Sequence, residues 1–163
     1  MIVFGIDPGL SGAIAWRDGA GIEDIADMPT FQITRNAKNK RDIDAAGLVE
    51  IMEKAAGHGA HAFIEQVGAM PGQGSSSMFA FGKGFGIVIG VVAALHIPVT
   101  FVPPQTWKKA LGVPAGKDGA RARASQLLPD AAHYWPLVKH DGRAEAALIA
   151  EYGYRKLVRE IMS

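Results

Sequence analysis

"IVFGIDPGLSGAIAW", residues 2–16, decides the fold. Residues 1–7 are apolar and rich in β-formers, and Pro8-Gly9 closes the run, which predicts a strand with the carboxylate of Asp7 at its end. "GAIAWRDG" (12–19) and "GIEDIADM" (21–28) alternate loosely and are parted by Asp18-Gly19, so two more strands joined by a tight turn follow. An acid at a strand end is ordinarily a turn former. Asp7 gains chemical meaning only if other acids converge on it.

Working outward, "FQITRNAKNKRD" (31–42) is polar and basic and reads as a mobile connection. Residues 43–57 space Ile43, Leu48, Ile51 and Met52 at helical intervals, with Gly57 to close the helix. "HAFIEQV" (61–67) is a short strand, and the Gly/Ser-rich residues 68–77 form a loop. Residues 78–95 read as a largely buried helix and 97–102 as a strand ended by Pro103-Pro104. A short helix (105–112), a loop (112–119) and a helix (120–128) precede a last helix from about 142 to 159. The order predicts an α/β fold in one domain over residues 1–163. Its mixed five-stranded sheet has three antiparallel strands and two parallel ones, flanked by helices.

The bulk composition fits that reading. The chain has 163 residues, 48% hydrophobic and 20% charged, enough for one domain with a sizeable core and unlike a disordered chain. The net charge of +1 neither demands nor excludes a polyanionic partner. Cysteine is absent, which removes disulfides and thiolate metal sites. The most apolar window, residues 84–95, is too short to span a bilayer and no export signal is visible, so the expectation is a soluble, intracellular protein without a membrane partner.

Three further acids are candidates to meet Asp7. Glu65 ends its predicted strand as Asp7 does, and neighbouring strands would set the two side by side. Asp141 and Glu145 stand four apart, on one face of the last helix. Asp141 reads equally as an N-cap with Gly142 as the first helical residue, but a capping box would want Glu or Gln where Ala144 stands, so capping leaves Glu145 unexplained. Four carboxylates without thiols suit a hard cation, Mg²⁺ with Mn²⁺ as substitute. Four acids around two ions are the arrangement used for in-line attack on a phosphodiester. His140 reads either as a base or outer ligand beside Asp141, or as a surface histidine.

"GIDPG" (5–9), "IEQV" (64–67) and an acid pair opening an alanine-rich last helix resemble the RuvC-type Holliday-junction resolvases, of the ribonuclease-H-like superfamily. "VPPQTWKKALGV" (102–113), "GKDGARARASQLLPD" (116–130) and "HDGRAEAALIAEYG" (140–153) look closer to the phage and chloroplast branch. The resemblance implies a ribonuclease-H-like fold and a metal-dependent crossover junction endodeoxyribonuclease that resolves four-way DNA junctions, with Asp7, Glu65, Asp141 and Glu145 as catalytic, metal-binding acids. Lys108 and Lys117 match family basic positions near the scissile phosphate. Two departures are visible: many bacterial relatives place the last two metal-binding residues three apart rather than four, and carry an aromatic where Gly68 stands. A junction-opening wedge would then fall to Met70 or Phe79. A ribonuclease acting on RNA–DNA hybrids shares the metal chemistry. An actin-like ATPase would need a second domain, and a pure DNA-binding module gains nothing from acids facing phosphates.

Two basic clusters predict where DNA lies. "RNAKNKR" (35–41) includes Arg35 and Lys38; Lys108, Lys109, Lys117, Arg121 and Arg123 form the second. The loop around Met70, Ser75 and Ser76 offers backbone and hydroxyls to a strand. A four-way junction has near-twofold symmetry, which favours a homodimer, and helix 78–95, apolar around much of its circumference, is the predicted interface.

Overall fold

The computed structural model describes the chain apart from residues 36, 58, 69, 70, 71 and 73 and the side chains of Arg35 and Lys38. In chain order the strands and helices are β1 (Val3–Asp7), β2 (Ala13–Arg17), β3 (Ile22–Asp27), β4 (Thr30–Arg35), β5 (Lys38–Ile43), α1 (Ala45–Ala56), β6 (His61–Glu65), α2 (Ser75–Ala94), β7 (Val99–Val102), α3 (Pro104–Leu111), α4 (Gly119–Leu127) and α5 (Asp141–Met162). Two 3₁₀ turns, Pro129–Tyr134 and Val138–His140, lie between α4 and α5. The main sheet has the order β3-β2-β1-β6-β7. β1, β2 and β3 pair antiparallel, while β1–β6 and β6–β7 pair parallel, as the sequence predicts. Asp18 makes the β2–β3 turn by accepting from the Ala20 amide at 2.7 Å.

Residues 31–42 correct the expectation of a mobile connection. They form most of a separate antiparallel hairpin, β4–β5, in continuous register from Thr30↔Ile43 to Arg35↔Lys38. Its base is pinned: Asp42 is buried and pairs with Lys83 of α2, and Ile43 enters the core. Successive strand residues point to opposite faces, so the neighbouring Arg41 turns the other way and donates to Ser11 Oγ at 3.1 Å.

The same period of two sorts the sheet into two cores. Phe4 and Ile6 of β1 and Ala62 and Ile64 of β6 pack with α1 and α2. Val3 and Phe63 pack on the other face, with α3, α4 and α5. Asp7 and Glu65 therefore project to the α5 side. Helix α5 lies on β1 at backbone distance, since a Cβ on Gly5 would stand 2.2 Å from both the Ala146 carbonyl oxygen and the Ala150 nitrogen. A Cβ on Gly142 would meet the Ser11 carbonyl oxygen at 2.4 Å. Only a stripe of small residues permits this approach, and it sets the first turn of α5 over the end of β1.

Farther along α5, Glu151 is buried against Arg17 of β2, and Arg155 Nε donates to its other oxygen at 2.6 Å. Arg17 also lies over the Tyr154 ring, 4.1 Å from its centroid.

Helix α2 begins at Ser75, three residues before the predicted start, and is not largely buried. Its buried side is Gly84, against Ile43 at the hairpin base, and Val88, Val91 and Val92, in the core with Phe4, Ile6 and Ile64. At 20 residues the helix is long and apolar enough to cross a membrane by length and composition, which the window 84–95 alone is not, and only 22% of its most apolar 18-residue stretch is buried.

Candidate active site

Asp7 closes β1, and its Oδ1 accepts from the Gly9 amide at 3.3 Å. Glu65 closes β6, one strand over. The parallel register pairs Gly5 with Phe63 and Ile6 with Ile64, so Glu65 is the next residue opposite Asp7. Glu145 comes from the second turn of α5, carried over both strand ends by the close helix–sheet contact at Gly142. Three acids far apart in sequence thus share one field. The Asp7 carboxyl is pushed up to about 7, first by burial and then by the charges of Glu145 and Glu65, against the opposing pull of the Gly9 amide and Lys108. Glu65 is likewise pushed up, chiefly by burial, with the Trp107 hydrogen bond and Lys108 working against it.

Each acid leans on its own donor. Trp107 Nε1 donates to Glu65 Oε1 at 3.0 Å. Lys108 Nζ donates to Glu145 Oε1 at 3.0 Å. Arg121 Nε donates to Asp141 Oδ1 at 2.6 Å and also pairs with Asp118. Asp141 is the first residue of α5 and caps nothing; the cap position falls to His140. Held this way, the acids stay apart. Among the described residues, no three Asp, Glu or His side chains come together tightly enough to hold a metal ion as they stand. Asp141 and Glu145 do line one cavity of about 290 Å³ with Lys108 and Lys117.

The remaining predicted residues divide. Lys109 is exposed on α3, outside that cavity. Arg123 donates to the Leu111 carbonyl at 2.6 Å and to Gln126 at 3.0 Å, so it ties α4 to the end of α3 rather than reaching the acids. Arg121 does reach them, through Asp141. Ser75 and Ser76 lie in the first turn of α2 and line a cavity of about 540 Å³ with Lys40, Arg41 and Phe79. The wedge and DNA contact at Met70, and the phosphate contacts at Arg35 and Lys38, lie outside the described residues. His140 accepts from the Leu137 amide at 3.3 Å and lines a different cavity, with Lys139 and Arg143.

Trp107 and Arg41 are what sequence reasoning missed. Trp107 is fully buried, and its indole N–H is committed to Glu65. Its signal was "PPQTWKK" directly after a strand that pairs with the Glu65 strand. Arg41 was counted in a basic run, but nothing in its spacing pointed back to the loop after Asp7.

No protein-family model matches the chain, and no curated protein matches it in sequence. Among solved structures, it is similar to Thermus thermophilus RuvC in complex with a Holliday junction substrate, at 15% identity and a TM-score of 0.61, covering 96% of each chain. It is also similar to a second structure of Thermus thermophilus RuvC, at 16% identity and a TM-score of 0.55, again over 96% of each chain. The likeness runs over nearly the whole length of both chains: the chain has the ribonuclease-H-like fold of RuvC.

Proposed function

We propose that the protein is a metal-dependent endodeoxyribonuclease that resolves four-way DNA junctions. The observation that carries this reading is the convergence of Asp7, Glu65 and Glu145 from three elements onto one sheet end, where burial first, and then the charges of Glu145 and Glu65, push the Asp7 carboxyl up to about 7. Such an arrangement is costly unless positive charge occupies it. The solved RuvC that shares the fold was captured with a Holliday junction, which supports branched DNA as the substrate class.

The donor set fits a hard divalent cation: it is all oxygen, and cysteine is absent. Asp7, Glu65 and Glu145, with Asp141 once Arg121 releases it, would hold Mg²⁺ or Mn²⁺, two ions per site. When bound, such ions supply the positive charge that in-line phosphodiester hydrolysis needs at the entering and leaving oxygens. The chain's own residues do the rest. Trp107 aims Glu65 and works against the rise that burial imposes on its carboxyl. Lys108 neutralises Glu145 and, with Lys117, offers cations to the phosphate beside the acids. Burial of the strand ends keeps the carboxylates in a medium where charge counts.

The reading extends to assembly and setting. Two symmetric cuts call for two sites, and the exposed apolar side of α2 supports a homodimer. The motifs around Trp107 and Lys117 support the phage and chloroplast branch, working in the cytoplasm of a bacterial or phage-infected cell or in an organelle.

Incubating the protein with Mg²⁺ and a four-way junction, a nicked duplex, an RNA–DNA hybrid and ATP tests the reading. Paired symmetric nicks in the junction are expected. Cleavage of the hybrid alone would make it a ribonuclease, and ATP hydrolysis without nicking would overturn the nuclease assignment.

A further inference from the structure

The start of α5 divides two cavities. Asp141 lines the one with Lys108 and Lys117; His140, the residue before it, lines a second of about 360 Å³. The second cavity opens between the β4–β5 hairpin and the turn after Asp7. Ser11, Gly12, Arg41, Lys139, His140 and Arg143 line it. Arg41, Lys139 and Arg143 bring three cations to a space large enough for a sugar and its phosphate, while burial and the neighbouring Arg143 and Lys139 push the His140 ring toward its neutral form.

The charge balance there is one-sided. Asp27 is the acid in this lining, and Arg143 already grips it with Nε and Nη2 at 2.6 Å each, while Arg143 Nη1 donates to the Tyr134 carbonyl at 3.0 Å. Arg143 and Asp27 thus form a wall. Among the described residues, neither Arg41 nor Lys139 has a carboxylate within ion-pair distance. Arg41 is nevertheless held in place. Its neighbour Asp42 is anchored on Lys83, its strand is paired through Gln32, and its guanidinium rests on Ser11 Oγ at 3.1 Å. A positioned guanidinium without a carboxylate is what a phosphate site requires.

We propose that this cleft is a second phosphate-binding site, in which Arg41 and Lys139 hold the backbone of the DNA strand where it continues past the acids, across the start of α5 from Lys108 and Lys117. The inference rests on the DNA-cleaving reading above and adds the course of the strand to it. The cleaved strand is gripped on both sides of the scissile phosphate, and the hairpin is the part of the fold that supplies the second grip. Ser11 and Gly12 lie between the two grips, at the turn whose residue Gly9 binds Asp7.

The test compares the double variant Arg41→Gln/Lys139→Gln with Lys54→Gln, a control on the exposed side of α1. Junction affinity is measured without divalent ions across a salt series. The double variant should bind about tenfold or more weakly near physiological salt, and the slope of log affinity against log salt should flatten by about 1.8, roughly 0.9 for each lost duplex contact. Lys54→Gln should match the wild type. A neutral methylphosphonate placed in turn at each phosphate flanking the cut should weaken the wild type on the cleft side and add nothing in the double variant. Lys139→Gln alone, in an exposed 3₁₀ turn, carries the same test at half the slope change should the double variant melt early. If the variants bind with the wild-type slope while the wild type still nicks junctions, the cleft assignment falls and the nuclease reading stands. A wild type that neither binds nor nicks a junction overturns both.

Discussion

Trp107 Nε1 donates to Glu65 Oε1 at 3.0 Å, with the indole fully buried between β6 and α5. The bond joins the helix after β7 to the acid at the end of β6, and it is the one influence on Glu65 besides Lys108 that favours the charged form. Trp107→Phe keeps most of the apolar volume and removes the donor. Losing a hydrogen bond to a buried charged group should cost about 1.5–3 kcal/mol in stability. It should also raise the Glu65 pKa further, so nicking should demand more Mg²⁺ and its acid limb should move to higher pH. A pH–rate profile checks this; a variant that loses stability with an unmoved acid limb would reduce Trp107 to packing.

Asp7 carries the clearest trade between stability and function. Its folded pKa of about 7 lies above its ordinary value of 3.8, so between those values the native state holds a proton that the unfolded chain has released. Stability of the metal-free protein is therefore lost as pH rises from about 4 to about 7, and the penalty is complete above that. A shift of about three units corresponds to at most about 4 kcal/mol, less whatever residual solvent access recovers. Asp7→Asn should raise the melting temperature at pH 8 in chelator, flatten the pH dependence, abolish nicking and leave junction binding nearly intact. Added Mg²⁺ should stabilise the wild type and not the variant. Equal melting of the two proteins at pH 8 would show that Asp7 bears no such burden.

How much of this was legible in the sequence depends on which residues had buried neighbours. Val3, Phe4 and Ile6 announce β1 because both faces of that strand enter cores. Asp7 and Glu65 were readable as strand-end acids for the same reason. The β4–β5 hairpin was not, because β5 is polar along nearly its whole length and the alternation in β4 is only Phe31 and Ile33, with Phe31 48% exposed, inside a basic run that reads as a connection. Asp141 is readable both as a cap and as a metal ligand; in the structure it caps nothing and pairs with Arg121, a tertiary partner that no local spacing announces. The start of α2 was misplaced because Ser75, Ser76 and Ser77 read as loop, and no side-chain cap marks the entry.

The placement of Glu145 hangs on Gly5, in the middle of β1. Any Cβ there collides with α5 backbone, which cannot rotate away as a side chain would, so Gly5→Ala must lift the helix from the sheet. A loss of about 2–3 kcal/mol, the upper part of the usual cost of overpacking, is expected by urea denaturation. Because α5 carries Asp141 and Glu145, nicking should fall by far more than the folded fraction does. Activity that merely tracks the folded fraction would mean that the acids tolerate the shift.

The exposed side of α2 bears on the two-site requirement. Gly82, Gly86 and Gly90 recur every four residues, and a Cβ on any of them meets nothing within 4 Å. Phe79 is 66% exposed and Phe101, on the edge strand β7, 42%, the latter in edge contact with Phe85 at 6.0 Å. An apolar surface that continues from a helix onto a sheet edge is poorly suited to water, and a glycine stripe lets a second helix approach closely. The expected species in light scattering at micromolar concentration is twice the 17.3 kDa chain. Gly86→Glu places a charge on the stripe without touching the core, so it should yield a folded monomer with unchanged melting at low concentration. That monomer should bind a junction more weakly and convert paired nicks into single ones, since each copy carries one set of acids. A wild type that scatters as a monomer, or a Gly86→Glu variant that remains a dimer, would move the interface elsewhere.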